Sequence, residues 1–151
     1  MTLAFVALGA NLGDAPATVR IAMKQIGMIP RTRVTACSSL YRTAPFEASG
    51  PDFINAVVAV DTGLAPEAFL DALQLLEQHA GRERPYRHAP RTLDLDLLSH
   101  GDAVLATPRL TLPHPRMNQR AFVLLPLAEI APDRVSPEQL AAVAGQSIAR
   151  L

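Results

Sequence analysis

The run Pro90-Arg91-Thr92-Leu93-Asp94-Leu95-Asp96-Leu97-Leu98 alternates with a period of two. That period belongs to a β-strand whose successive side chains point to opposite faces. Leu93, Leu95 and Leu97 then face a core, and Thr92, Asp94 and Asp96 share the other face. Aspartate is depleted in strands, and here two carboxylates sit on neighbouring same-face positions with Cα atoms roughly 6.5 Å apart. At an effective dielectric of about 20 they repel by roughly 2.5 kcal/mol, so the pair calls for a cation between them. Hard oxygen ligands favour Mg²⁺ over Zn²⁺. The spacing suits two ions about 3.5 to 4 Å apart, the arrangement that clamps attacking and leaving oxygens in phosphoryl chemistry. For an isolated D-x-D, a solvated acidic face is the competing reading.

The flanking charges favour the metal. Arg82, Arg84, Arg87, Arg91, Arg109, Arg116 and Arg120 face only Glu83, Asp94, Asp96 and Asp102 between positions 82 and 120, seven against four. Lys24 is the only lysine among 14 basic residues, so positive charge is supplied almost wholly by planar, bidentate guanidinium groups. Carboxylates, metal and arginines together form a receptacle for a polyphosphate. Over the whole chain the formal charge is zero and the pI about 6.9, so neither a nucleic-acid nor a membrane footprint is expected. The 151 residues are expected to form one domain, 1–151, with a self-sufficient core. A single cysteine, Cys37, excludes an internal disulfide and suits a reducing cytosol. The apolar start Leu3–Ala10 lacks a basic leader and is too short to span a bilayer, so a cytoplasmic protein is expected.

Taken in order, Leu3–Leu8 is a continuous apolar run, the mark of a central strand buried on both faces, and it ends in Gly9-Ala10-Asn11-Leu12-Gly13-Asp14. Neither G-x-G-x-x-G nor G-x-x-x-x-G-K-[ST] occurs. Asp14 or Pro16 opens a helix with Val19, Ile21, Ala22, Met23 and Ile26 as its apolar set, ending near Gly27 and Pro30, with Lys24 on the wet side. A second strand is expected over 33–42 and a loop over 43–51. A third strand over 52–60 sends Phe53, Asn55 and Val57 to one side and Ile54, Ala56 and Val58 to the other, which places a lone amide beside an aromatic ring. Pro66 opens a helix to about Ala80 with Phe69, Leu70, Leu73, Leu76 and Ala80 as its stripe, stopped by Gly81. On it Gln74 and Glu77 share a face. The segment 82–90 reads as an arginine-bearing lid loop leading into the acidic strand. A turn at Gly101-Asp102, an extended 108–115, a helix over 122–130 and a terminal helix over 137–149 complete the chain. The order β-α-β-β-α-β fits an α+β fold, a ferredoxin-like α/β sandwich with a mainly antiparallel sheet and helices packed on it.

Several motifs in one order carry a resemblance: Gly9–Asn11, Tyr41-Arg42-Thr43, Pro51-Asp52-Phe53-Ile54-Asn55, Gly81-Arg82, Pro90–Asp96, Arg109-Leu110-Thr111-Leu112-Pro113-His114, and Arg120 with Phe122. Over nearly its whole length the chain resembles 6-hydroxymethyl-7,8-dihydropterin pyrophosphokinase of folate biosynthesis. The resemblance implies transfer of pyrophosphate from ATP to a pterin alcohol with release of AMP. It implies that Asp94 and Asp96 hold two Mg²⁺ ions and that Arg82, Arg84 and Arg91 close over the triphosphate, with Arg82, Arg91, Asp94 and Asp96 as the catalytic set. Further nucleotide contacts then fall on Gln74, Glu77, Leu97, Arg109, Thr111, His114 and Arg120. The pterin lies between Phe53 and Phe122, with Asn55 on its amide edge and Thr43, Ala44 and Phe46 lining the pocket. A monomer acting on ATP and hydroxymethyldihydropterin is expected. The chain departs from the family pattern at His88, Pro115 and Ala44, and its 82–91 loop is one residue short. Two other classes remain open on residues alone: a two-metal phosphodiesterase or nuclease, which generally uses more carboxylates or histidines, and a non-catalytic ferredoxin-like small-molecule binding domain.

Overall fold

Inside the main sheet, β1 (Thr2–Ala10) hydrogen-bonds along both edges and is apolar on both faces, as its continuous run requires. The computed structural model describes residues 1–44, 50–81 and 93–151. Helix α1 (Ala15–Gly27) starts where expected: the Asp14 carboxylate accepts the Ala17 N–H at 3.1 Å, and Pro16 sits in the first turn. It buries Ala15, Val19, Ala22 and Ile26. Ile21 lies off that stripe and is 55% exposed, a correction to its place in the apolar set.

The second expected strand is two. β2 (Thr32–Cys37) and β3 (Tyr41–Thr43) pair in succession with the same edge of β4 (Phe53–Thr62). Between them Ser38 breaks the ladder, because its hydroxyl accepts the Val57 N–H at 2.9 Å in place of a backbone carbonyl. Helix α2 (Pro66–Gly81) leads towards β5 (Asp94–His100), which pairs with the free edge of β1. A two-stranded ladder of β6 (Leu105–Ala106) and β7 (Thr111–Leu112), then helices α3 (Ala121–Ile130) and α4 (Pro137–Ala142), follow. The terminal helix expected to reach residue 149 stops at Ala142. Residues 143–145 turn at Gly145, and β8 (Ile148–Arg150) pairs with β3. Beyond Val143 the sequence lacks an apolar stripe to bury, whereas the outer edge of β3 offers backbone partners.

The main sheet runs β5-β1-β4-β3-β8, with β2 also on β4, and the pairings are antiparallel. This is the expected ferredoxin-like α+β sandwich, extended by β8 and by a third layer. One face packs Val6, Leu8, Ile54, Val58, Leu95 and Leu97 against α1 and α2. The other packs Phe5, Ala7, Val57 and Leu98 against α3. The odd and even positions of β1 thereby feed two cores at once. No helix among the described residues is long and apolar enough to cross a membrane.

Candidate active site

Residues paired across neighbouring strands share a face, so the sheet register reads directly as a floor. On the α3 face, Asp94 stands opposite Gly9, Gly9 opposite Asn55, and Asn55 opposite Tyr41. One step along, Asp96 stands opposite Ala7 and Ala7 opposite Val57. The two carboxylates therefore flank the smallest side chains of β1, and the sheet is open beside them. Above this floor lies a cavity of about 630 Å³. Thr43, Ala44, Phe53, Asn55, Asp94 and Asp96 line it from the sheet side, and Arg116, Gln119, Arg120 and Phe122 from the approach to α3 and its first turn. Asn55 is 5% exposed, and its Nδ2 donates to Thr43 Oγ1 at 2.9 Å. Among the described residues its Oδ1 accepts no hydrogen bond, so a buried acceptor stands ready for a ligand donor. Gly9 makes room for it, because a Cβ there would come within 3.2 Å of that oxygen. Over the cavity the Arg120 guanidinium carbon stands 5.3 Å from the centre of the Phe122 ring.

A second cavity, about 370 Å³, opens off the β5 edge and shares Asp94 and Asp96 with the first. Its other walls are Gln74 and Glu77 of α2, Leu97 of β5, and Arg109, Thr111 and His114 from the segment around β7. Arg109 is held by an ion pair to Asp71 and a hydrogen bond to Gln74 Oε1. Glu77 Oε2 accepts the Leu95 N–H at 2.8 Å, tying α2 to the strand between the two aspartates. His114 donates its backbone N–H to Leu98 O, and its Nδ1 accepts the Arg116 N–H at 3.2 Å. That nitrogen is unprotonated, and burial pushes the imidazole pKa below its ordinary value against the pull of the Asp96 charge.

The residues expected around the acidic strand are thus brought together in two groups that meet at Asp94 and Asp96. Thr43, Ala44, Phe53, Asn55, Phe122 and Arg120 fall on one side, and Gln74, Glu77, Leu97, Arg109, Thr111 and His114 on the other. Arg82, Arg84, Arg91 and Phe46, together with the expected lid, lie outside the described residues. Some contributors escaped the sequence reading, Gln119 of the larger cavity among them. Asp71 could have been found at i−3 from Gln74 on the same exposed helical face. Gln146 and Ser147, which also line the larger cavity, were hidden by the extension of the terminal helix through them. Among the described residues no cluster of three His, Cys, Asp or Glu is placed to hold a metal ion. Two carboxylates alone suit Mg²⁺, which completes its shell with water and substrate phosphates.

A ferredoxin-like sheet that sets one acidic pair between a polar cleft and a larger cavity floored by small side chains has the layout of a two-substrate transferase of phosphate-bearing groups. Residues 5–132 match the model of the 7,8-dihydro-6-hydroxymethylpterin-pyrophosphokinase (HPPK) family, and the chain belongs to that family. The 2-amino-4-hydroxy-6-hydroxymethyldihydropteridine pyrophosphokinase of Pseudomonas aeruginosa is 47% identical over 154 residues, covering 97% of this chain and 95% of the relative. The enzyme of the same name from Synechocystis sp. is 45% identical over 134 residues, covering 89% and 69%. Among solved structures, an HPPK-DHPS in complex with substrates superposes with a TM-score of 0.67 at 14% identity over 87% of this chain. Wild-type Plasmodium falciparum HPPK-DHPS gives 0.66, also at 14% identity. The chain spans about 40% of each of those solved chains, and the likeness shows the fold.

Proposed function

We infer that this protein transfers a pyrophosphoryl group from ATP to the hydroxymethyl oxygen of 6-hydroxymethyl-7,8-dihydropterin, releasing AMP, in folate biosynthesis. The observation that carries the site assignment is the meeting of two cavities of different character at one carboxylate pair. The larger cavity takes the pterin: Phe53 and Phe122 supply ring faces, and the buried Asn55 amide meets the donor and acceptor edge of the heterocycle. Thr43 and Ala44 line its wall, as does Phe46 in this reading. The cleft takes the nucleotide, with Gln74, Glu77, Leu97, Arg109, Thr111 and His114 around it and Arg120 reaching from the pterin side. Arg82, Arg84 and Arg91 serve the triphosphate in the same reading.

In the reaction the pterin oxygen forms a bond to the β-phosphorus, the bond from that phosphorus to the α-phosphate oxygen breaks, and the hydroxyl proton leaves to solvent. Catalysis of this kind is alignment and charge neutralisation rather than covalent chemistry. Asp94 and Asp96 would hold two Mg²⁺ ions, which supply neutralisation of the phosphate oxygens when bound. The chain's own part is to present both substrates to one point. The sheet floor at Ala7 and Gly9 leaves the approach open, Asn55 orients the ring, and Arg109 is braced by Asp71 and Gln74 at the cleft. A single domain acting as a cytoplasmic monomer completes the reading, its compartment supported by the lone Cys37, which suits a reducing environment.

Incubating the protein with ATP, Mg²⁺ and hydroxymethyldihydropterin tests this directly. AMP and the pterin pyrophosphate should form in equal amounts and only when all three are present. ATP breakdown without pterin, or cleavage of nucleic acid, would replace the assignment with a hydrolase.

A further inference from the structure

The larger cavity has one wall beyond the matched residues 5–132, because Gln146 and Ser147 line it from the C-terminal segment. That segment touches both sides of the cavity. On the sheet side β8 pairs with β3, setting Ile148 opposite Thr43, and the Leu151 N–H donates to Leu40 O at 2.9 Å. On the helix side Gln146 Oε1 accepts the Ala121 N–H at 2.9 Å, and its Nε2 donates to Gln119 O at 2.9 Å. Those two backbone atoms flank Arg120, so one side-chain amide grips the chain before and after that residue.

Arg120 is also the N-cap of α3, and it makes no side-chain capping bond. Its guanidinium carries donors only and cannot accept a first-turn N–H. Ala121 is 1% exposed, so its N–H relies on the acceptor that Gln146 brings. With the backbone of Arg120 extended at φ −125° and ψ 114°, its side chain lies over the Phe122 ring, and both line the cavity.

We propose that Gln146 is a positioning residue for the acceptor site: its amide clasps the backbone on either side of Arg120 and so aims Arg120 and Phe122 into the cavity, while β8 ties the same segment to the Thr43 wall. This rests on the reading of the cavity as the pterin site. Gln146 itself is exposed at the rim. When its side chain is truncated, water can enter from the exposed rim and meet both backbone atoms, so that loss costs direction rather than stability.

The test compares wild type with Gln146→Ala and with Gln146→Met, which keeps the length of the side chain and removes the amide. KM for each substrate, kcat and the melting temperature are measured. Calorimetric binding of hydroxymethyldihydropterin is measured in the presence of Mg²⁺ and a non-hydrolysable ATP analogue. Both variants should raise the KM and Kd for the pterin about fivefold, with a smaller rise in KM for ATP because only Arg120 of the two aimed side chains also reaches the nucleotide, and the alanine variant, which admits water, should keep the wild-type melting temperature. Wild-type pterin constants in Gln146→Met would overturn the proposal, as would a parallel rise of both substrate constants with a fallen melting temperature. Should the alanine variant fail to fold, the methionine variant decides. A wild type that binds pterin but forms no AMP would sink the reaction and leave the clasp to be judged by the binding constants; a wild type that does not bind pterin would sink both.

Discussion

Gly9→Ala is a one-carbon probe of the cavity floor. The added Cβ would stand 3.2 Å from Asn55 Oδ1, closer than an ordinary van der Waals contact, so one of the two must give by a few tenths of an ångström. The backbone of β1 is pinned on both sides by β4 and β5, and the asparagine amide is the softer partner. Turning it stretches the 2.9 Å bond from Nδ2 to Thr43 Oγ1 and swings Oδ1 away from the place a ligand donor would find it. Losing one such hydrogen bond weakens binding by about 1 kcal/mol, roughly fivefold in the KM for the pterin. Replacing glycine within a strand works the other way on stability, gaining about 0.5 to 1 kcal/mol from the unfolded state. Steady-state assays with pterin varied at saturating ATP, beside a melting curve, should therefore show weaker pterin use in a protein of near wild-type stability, the glycine gain offsetting the stretched bond. An unchanged pterin KM would show that Asn55 does not read the pterin, and an equal loss of ATP affinity would refute the division of the site into two cavities.

Asp96→Asn should reduce turnover to background and abolish its Mg²⁺ dependence while leaving the fold intact, as read by circular dichroism; near-normal turnover would remove the metal assignment. Burial holds His114 below its ordinary pKa, so the folded protein binds fewer protons there than the unfolded chain does. The stability this provides is full above about pH 6.5 and is lost as pH falls through the folded value. His114→Asn, which keeps an acceptor near the Arg116 N–H, should flatten the fall in melting temperature as pH drops below about 6.5, and an unaltered slope would refute the assignment. Tyr41 is pushed up to about 12, first by burial and then by its 2.7 Å hydrogen bond to Glu129. An absorbance titration should show one of the chain's two tyrosines ionising late, with stability lost as pH rises from 10 towards 12, and the late step should vanish in Tyr41→Phe.

How far the sequence carried depends on where each signal was local. The alternation of 93–97 and the two-faced pattern of β1 and β4 predict burial correctly because one strand period assigns each residue to a face. Asn55 stood out as a polar residue on an apolar strand, and the structure makes it a cavity acceptor. The break between β2 and β3 was not legible, since it depends on the Ser38 hydroxyl meeting the Val57 N–H across the sheet. Nor was the fate of the C-terminus. Pro137-Glu138-Gln139 after Ser136 is a sound helix start, with a capping box in place, but nothing local says that the helix ends after six residues. The turn at Gly145 and the vacant edge of β3 decide that, and the edge is remote in sequence. Asp71 and Glu77 show the same limit: nothing local in the helix marks their ties to Arg109 and to the Leu95 N–H, which appear only once α2 lies along β5.

The position of the acidic pair in the sheet explains why one pair can serve two cavities. In an interior strand, neighbours on both sides would confine Asp94 and Asp96 to the view from a single face. β5 is the outermost strand beside β1, so the pair looks across the sheet to the larger cavity and off the edge to the cleft. An edge strand also exposes unpaired backbone groups that invite another chain, and charged side chains are one means of blunting that hazard. In the proposed reading the aspartates gain ligand access from both sides, while the outer edge of β5 is covered in part by Glu77 Oε2 on the Leu95 N–H and by the His114 N–H on Leu98 O. Their mutual repulsion is what a bound cation would relieve. This predicts that Mg²⁺ with nucleotide raises the melting temperature of wild type more than that of Asp96→Asn; equal shifts in the two proteins would mean that the nucleotide is held without the acidic pair.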